Sequence, residues 1–213
     1  VDSSVQTMME DYFSDEENFK YSGSNKDVIT NDKGEQEVPQ VAMMIMDPQT
    51  GDILGVIGGR GEKTTSLDLN RATSTPRQPG SSIKPLSVYG YAIENDLMTL
   101  GDPIDDVPVT YDAKEKTFWP SNYDKTYSGL VSVKRALARS LNTPAAWGLR
   151  TVGITASYDF MVNSLHFTTL VEADSQSLAP LSVGALTDGV TLREMITAYT
   201  VFAGGGMYTS YRS

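Results

Sequence analysis

The chain has 213 residues, 39% of them hydrophobic, a formal charge of −10, no cysteine and a single histidine, His166. That length and apolar content suffice for one full domain, or one domain with a short appendage. The missing cysteines exclude disulfides, thiolate metal sites and a cysteine nucleophile, one histidine excludes a two-histidine metal site, and the acidic balance argues against a nucleic-acid partner.

Residues 1–37 hold ten acidic residues against three lysines, so most of the negative charge is local to the N-terminus. The start Val1-Asp2-Ser3 lacks methionine, a charged leader and an apolar signal segment, which reads as a processed fragment with any anchor upstream. Val5, Met8, Met9 and Tyr12 recur at helical spacing and predict an amphipathic helix within 3–19 that docks on the main domain. Residues 21–37 are rich in Gly, Asn, Lys and Asp and read as a mobile loop, so 1–37 is expected to form a helix and linker segment, with the main domain over 38–213.

Val41–Met46 is an apolar run of strand length. Asp47-Pro48-Gln49-Thr50-Gly51-Asp52 supplies turn residues, and Ile53–Ile57 reads as the returning strand, closed by Gly58-Gly59-Arg60. Strands apolar on both faces are covered on both faces, which predicts a sheet sandwiched by helices. Residues 61–75 read as polar loop.

Pro76-Arg77-Gln78-Pro79-Gly80-Ser81-Ser82-Ile83-Lys84-Pro85 carries the first candidate chemistry. If the apolar helix running to Ile93 begins near Ser82, Ser81 and Lys84 lie one turn apart on one face. The hydroxyl then sits at the positive end of the helix dipole beside an amine able to take its proton. Pro85 leaves the first helical residue open, because a start at Ser81 would drive the ring into the Ser81 carbonyl.

Residues 96–129 read as turns and short strands bearing Trp119, Asn122 and Tyr123. Such a segment either lines a cleft or forms a surface loop packed by its own aromatics. Ser132–Arg139 reads as a helix with Val133, Ala136 and Leu137 inward, and Thr143-Pro144 as the cap and first residue of the next. The junction Ser140-Leu141-Asn142 presents two polar side chains, which ordinary capping would also explain. Thr155 is expected to cap a helix through Leu165, with Tyr158, Met161, Val162 and Leu165 inward. His166 follows as a helix-end residue or a base. Thr191-Leu192-Arg193-Glu194 is a capping box. Leu192, Met195, Ile196, Tyr199, Phe202 and Ala203 form the expected buried stripe, and Gly204-Gly205-Gly206 stops the helix. Met207–Tyr211 reads as a strand that begins as the chain stops, so 38–213 is expected to be an incomplete domain.

Several of these segments together resemble class A penicillin-binding proteins. Arg77–Pro85 looks like their Ser-x-x-Lys box and Ala138–Ala145 like their Ser-x-Asn box. Asp47–Gly51, Gly58-Gly59-Arg60, Asn70-Arg71-Ala72, Trp119–Tyr123 and Thr191-Leu192 through Gly206 match in order and spacing. The third box, Lys-Thr-Gly, is absent from this chain. The resemblance implies an α/β fold, an antiparallel sheet sandwiched by helices as in penicillin-binding proteins and β-lactamases, truncated at the C-terminus. It also implies a peptidoglycan D,D-transpeptidase. Ser81 would attack the penultimate D-alanine carbonyl of a stem peptide, Lys84 take its proton, Ser140 relay it, and Asn142 hold Lys84 and the substrate amide. The Ser81 N–H would supply one oxyanion donor and the absent strand the other.

Ser82, Trp119, Asn122 and Tyr123 complete the candidate set as substrate contacts. No metal or organic cofactor is implied. The implied partners are peptidoglycan stem peptides, β-lactams as covalent inhibitors, and a second chain or fragment completing the domain. The full-length protein would be membrane-anchored on the extracytoplasmic face of a bacterial membrane. A β-lactamase or β-lactam sensor on the same fold is disfavoured by the Ser-Leu-Asn form of the second box. A non-catalytic interaction module is disfavoured by the intact Ser81, Lys84, Ser140 and Asn142.

Overall fold

The computed structural model describes residues 1–19, 29–30, 32–61 and 69–212. Much of the loop read at 21–37, and part of that read at 61–75, lies outside the described residues. In chain order the elements are α1 (Ser3–Ser14), β1 (Ile29–Thr30), β2 (Gln36–Glu37), β3 (Met43–Met46), β4 (Ile53–Ile57), α2 (Arg71–Ser74), α3 (Tyr91–Glu94), β5 (Pro103–Asp106), β6 (Thr110–Asp112) and β7 (Thr117–Trp119). They continue with β8 (Gly129–Ser132), α4 (Val133–Ala138), α5 (Asn142–Val152), α6 (Ile154–Asp159), α7 (Leu178–Val183) and α8 (Leu192–Ala203). Two compact units result, Val1–Pro76 with Thr191–Ser213, and Arg77–Val190. No helix among the described residues is long and apolar enough to cross a membrane.

The first unit is built on the β3–β4 hairpin, antiparallel with Met44 opposite Val56. Asp47 closes its turn, accepting from the backbone N–H groups of Gln49 and Thr50 on its side chain, while Gly51 takes φ +79°. One apolar cluster joins Ile57 to Met9 and Phe13 of α1. Another joins Met44 and Ile53 to Ala72 of α2, with Leu192 and Ile196 of α8 packed against it. Helices thus bracket the hairpin, as strands apolar on both faces require.

The helix stripe differs from the expected one. Met8 and Tyr12 are 61% and 53% exposed, and the inward residues are Val5, Met9 and Phe13. Gly55 explains the rotation: a Cβ there would lie 2.5 Å from Met9 Sδ and 3.2 Å from Val5 Cγ1, so bare backbone admits α1 on that side. Asp2 caps α1 from its carboxylate. Gln6 pairs its side-chain amide with the outer edge of β4, donating to Val56 O at 3.1 Å and accepting from Val56 N at 2.8 Å.

In α8 the capping box is present as read, with Thr191 and Glu194 bonded reciprocally. Its buried residues are Thr197, Ala198 and Thr200, however, while Phe202 is 51% exposed. The threonines bury because their hydroxyls find partners: Thr197 donates to Arg193 O, and Thr200 accepts from Thr209 N. The segment 207–211 is irregular chain rather than the expected strand, and the residue after it, Arg212, makes an isolated bridge to Asp52.

The second unit opens and closes on one backbone pair, Arg77 N to Val190 O at 2.8 Å and Val190 N to Arg77 O at 2.9 Å. Its central helical run passes from a 3-10 turn at Gly80–Ile83 through a π-helical stretch at Pro85–Gly90 into α3. This composite is the physical answer to Pro85, which has no N–H to give and whose ring would clash with the carbonyl four residues back in a regular α-helix. Gly148 of α5 leaves room for Val88, which would lie 2.8 Å from a Cβ there. Ser87 Oγ donates to Leu181 O at 2.5 Å, and Ser157 Oγ to Ser87 O at 2.6 Å, tying α7 and α6 to the central run. The segment 96–132 forms two antiparallel pairs, β5 with β8 and β6 with β7.

Candidate active site

The turn that carries Ser81 is held from outside itself. Gln78 donates from Nε2 to Leu186 O and accepts at Oε1 from Leu186 N, both at 2.7 Å. Gly184 (φ +74°) and Gly189 (φ +88°) back onto the same approach: a Cβ on Gly184 would lie 2.1 Å from Gly80 O, and one on Gly189 2.5 Å from Arg77 O. Gly80 itself takes φ +54° as the first residue of the 3-10 turn. In 3-10 geometry residues three apart eclipse, so Ser81 and Lys84 share a face, and the Lys84 N–H closes the turn on Ser81 O.

Ser81 is exposed, whereas Lys84 is 1% exposed. A buried ammonium has to be compensated. Lys84 Nζ donates to Asn142 Oδ1 at 2.6 Å and to Ser140 O at 2.8 Å, with Ser140 Oγ at 3.4 Å. Ser140 reaches this position by taking φ +51° at the end of α4, a left-handed conformation that costs a side-chain-bearing residue about 1–2 kcal/mol. Loss of solvent around the amine pushes the Lys84 pKa down to about 8.

Asn142 is the first residue of α5, two positions earlier than the expected start at Pro144. The cap position is Leu141, which has no side chain able to accept. The orphan N–H groups are met instead by Asn122, whose Oδ1 accepts from Asn142 N at 2.8 Å and from Thr143 N at 3.4 Å. Thr143 is therefore no cap. Its hydroxyl turns to the carboxylate of Asp106. Asn142 Nδ2 donates to Ser121 O at 2.8 Å.

The candidate residues thus separate. Lys84, Ser140 and Asn142 form one bonded cluster, with Ser81 on the adjoining turn. Asn122 is 2% exposed and braces α5. Ser82 Oγ donates to Pro79 O at 2.6 Å within its own turn. Trp119 is half-buried at the end of β7, and Tyr123 is fully exposed. His166 ends the helical stretch after Phe160–Ser164, exposed and at φ +57°. Sequence reasoning missed Gln78, Gly184 and Gly189 as braces, and Asp106 and Thr143 as partners of Asn122. Only Gln78, inside the quoted Ser-x-x-Lys segment, carried any signal.

The family model described as penicillin binding protein transpeptidase domain matches residues 41–212. The chain belongs to that family. Penicillin-binding protein 4 of Bacillus subtilis is 38% identical over 165 residues, which cover 78% of this chain and 25% of that protein. Penicillin-binding protein 1A from Haemophilus influenzae, solved at 2.6 Å, aligns with a TM-score of 0.68 at 28% identity over 87% of this chain and 27% of that one. The transpeptidase domain of Burkholderia pseudomallei penicillin-binding protein 3 aligns with a TM-score of 0.69 at 16% identity, over 100% of this chain and 61% of that one. The fold is therefore that of penicillin-binding-protein transpeptidase domains, as the resemblance implied. The chain spans about a quarter of the length of the curated relatives it matches.

Proposed function

We propose that this chain carries the serine nucleophile and general base of a peptidoglycan D,D-transpeptidase acting on the extracytoplasmic face of a bacterial membrane. The observation that supports this most directly is the buried Lys84 amine, held by Asn142 Oδ1 at 2.6 Å and Ser140 O at 2.8 Å, one 3-10 turn from the exposed Ser81.

Both short contacts are to acceptors, so they occupy the two hydrogens of a neutral amine and leave its lone pair for an incoming proton. With a pKa of about 8, roughly a tenth of Lys84 is neutral at neutral pH, about 300-fold more than for an ordinary lysine. Ser81 Oγ attacks the carbonyl carbon of the penultimate D-alanine and its proton passes to Lys84 Nζ. Ser140 Oγ, 3.4 Å from that nitrogen, relays a proton to the departing D-alanine nitrogen as the C–N bond breaks. An amine of a second stem peptide then attacks the ester. A new C–N bond forms, the bond to Ser81 breaks, and the proton returns to Ser81. A β-lactam follows the first half and leaves Ser81 as a long-lived ester.

Labelling the protein with a fluorescent penicillin tests this. A stable adduct on Ser81, lost in Ser81→Ala, is expected, together with cross-linking of D-alanyl-D-alanine peptides. Hydrolysis of the adduct within seconds would instead indicate a β-lactamase. Absence of any adduct would indicate a non-catalytic module.

A further inference from the structure

Three hydrogen bonds from the Lys84 amine, through Asn142 and Asn122, lies a carboxylate that the proposed reaction does not touch. Asp106, the last residue of β5, is 1% exposed. Its Oδ1 accepts from Asn122 Nδ2 at 2.7 Å and from Thr143 Oγ1, and its Oδ2 accepts from Ser128 N at 2.8 Å. Burial alone would raise this carboxyl, but the bonds from Thr143, Asn122 and Ser128 outweigh it and hold it below the usual carboxylate range. Asp106 is thus a fixed negative acceptor.

Its effect on Asn122 is directional. An acceptor-only carboxylate on one side and a donor-only backbone N–H on the other allow the Asn122 amide one orientation, Nδ2 toward Asp106 and Oδ1 toward Asn142 N. Thr126 O, accepting from the same Nδ2 at 2.9 Å, agrees with it. Asn142 has the matching polarity, with Nδ2 on Ser121 O and Oδ1 taking the Lys84 hydrogen. A single run of donors and acceptors therefore leads from Lys84 through Asn142 and Asn122 to Asp106. No residue local to α5 can replace it, because Leu141 offers no cap.

We infer that Asp106 is a positioning residue: it orients the Asn122 amide, which pins the first turn of α5 and thereby the Asn142 oxygen that holds Lys84. This rests on the functional reading above for its consequence in catalysis, but not for its geometry. Asp106→Asn presents an N–H to a group that already donates and breaks the polarity. Asn122→Asp sets two carboxylates together. The double variant, Asp106→Asn with Asn122→Asp, restores a donor–acceptor pair and leaves an acceptor facing Asn142 N, at the loss of the contact with Thr126 O and with the Thr143 hydroxyl turned from donor to acceptor toward position 106.

Two readouts on the whole protein decide it: the limiting acylation constant with fluorescent penicillin, and the titration of Lys84 followed by NMR of ε-13C lysine. In Asp106→Asn the limiting constant is expected to fall about 10- to 100-fold, with non-covalent penicillin binding unchanged. The Lys84 midpoint should rise by about one unit as water enters. The double variant should recover most of both. A Lys84 titration unchanged in Asp106→Asn overturns the proposal, as does equal damage in the single and double variants. A parent protein that never labels at Ser81 overturns the functional reading instead, and the titration still decides the role of Asp106.

Discussion

Asn142 Oδ1 accepts from Lys84 Nζ at 2.6 Å across 58 positions of sequence, and this contact joins the two family boxes into one device. A lysine only 1% exposed is kept from wandering by a side chain that cannot itself take a proton. The proposed base is therefore defined by burial and aim rather than by a neighbouring charge, since loss of solvent is the cause of its lowered pKa.

The first consequence is a rate profile. With Lys84 as the proposed base, acylation of Ser81 needs its neutral form, so the rate should climb with pH to a midpoint near 8 and level off above it. Stopped-flow labelling between pH 6 and 9.5 measures this. Lys84→Met should abolish the limb along with nearly all acylation, and a flat profile in the parent protein would remove Lys84 from the role of base.

Stability should follow the same group. The folded-state pKa of Lys84 lies below the unfolded value of 10.5, so between about 8 and 10.5 the unfolded chain holds more protons and stability rises with pH. The gain from pH 7.5 to 9.5 should be about 2 kcal/mol. Urea unfolding at the two values, compared with Lys84→Met, which should lack the increment, tests this. Tyr89 runs the other way: burial raises its pKa, so above about pH 10 the unfolded chain ionises first and stability falls.

Gly184→Ala should be severe. Its Cβ would meet Gly80 O at 2.1 Å and Gly80 Cα at 2.6 Å, at a φ of +74°. Overpacking against backbone and left-handed strain together should cost about 3 kcal/mol or more and displace the serine turn. Gly205→Ala is the control: φ is +63° with nothing within 4 Å, so about 1 kcal/mol of strain alone is expected. Thermal unfolding should separate the two, and equal losses would refute the steric account.

Glu194→Ala should lower stability by about 1 kcal/mol, because Glu194 Oε2 accepts from both Thr191 N and Thr191 Oγ1 at 2.9 Å. Glu194→Gln should recover most of this in chemical denaturation, because an amide oxygen can also accept. No difference between Ala and Gln would mean that the reciprocal bond contributes little.

What was legible in the sequence was local or carried by the family resemblance. The β3–β4 hairpin, the α8 capping box and the cluster of Lys84, Ser140 and Asn142 were of this kind. What was not legible depended on distant partners. Thr143 has every local mark of a cap, yet a carboxylate 37 positions earlier takes its hydroxyl. Met8 and Tyr12 have helical spacing, yet Gly55, in another element, decides which side of α1 is admitted. Pro85 signalled an irregular helix start, but the 3-10 and π-helical solution emerges only when the run packs against α5 and α7.

The bracing of the serine turn also sets an order of events. Gln78 finds its partner 108 positions later, at Leu186, and Gly184 and Gly189 lie in that same late segment. During synthesis Ser81 therefore leaves the ribosome long before the chain that shapes its turn exists, and closing so long a loop is a slow, late step in folding. Nascent and misfolded copies would carry the serine without its geometry. On the proposed function, an acylating antibiotic would accordingly record completed second units rather than the amount of polypeptide made.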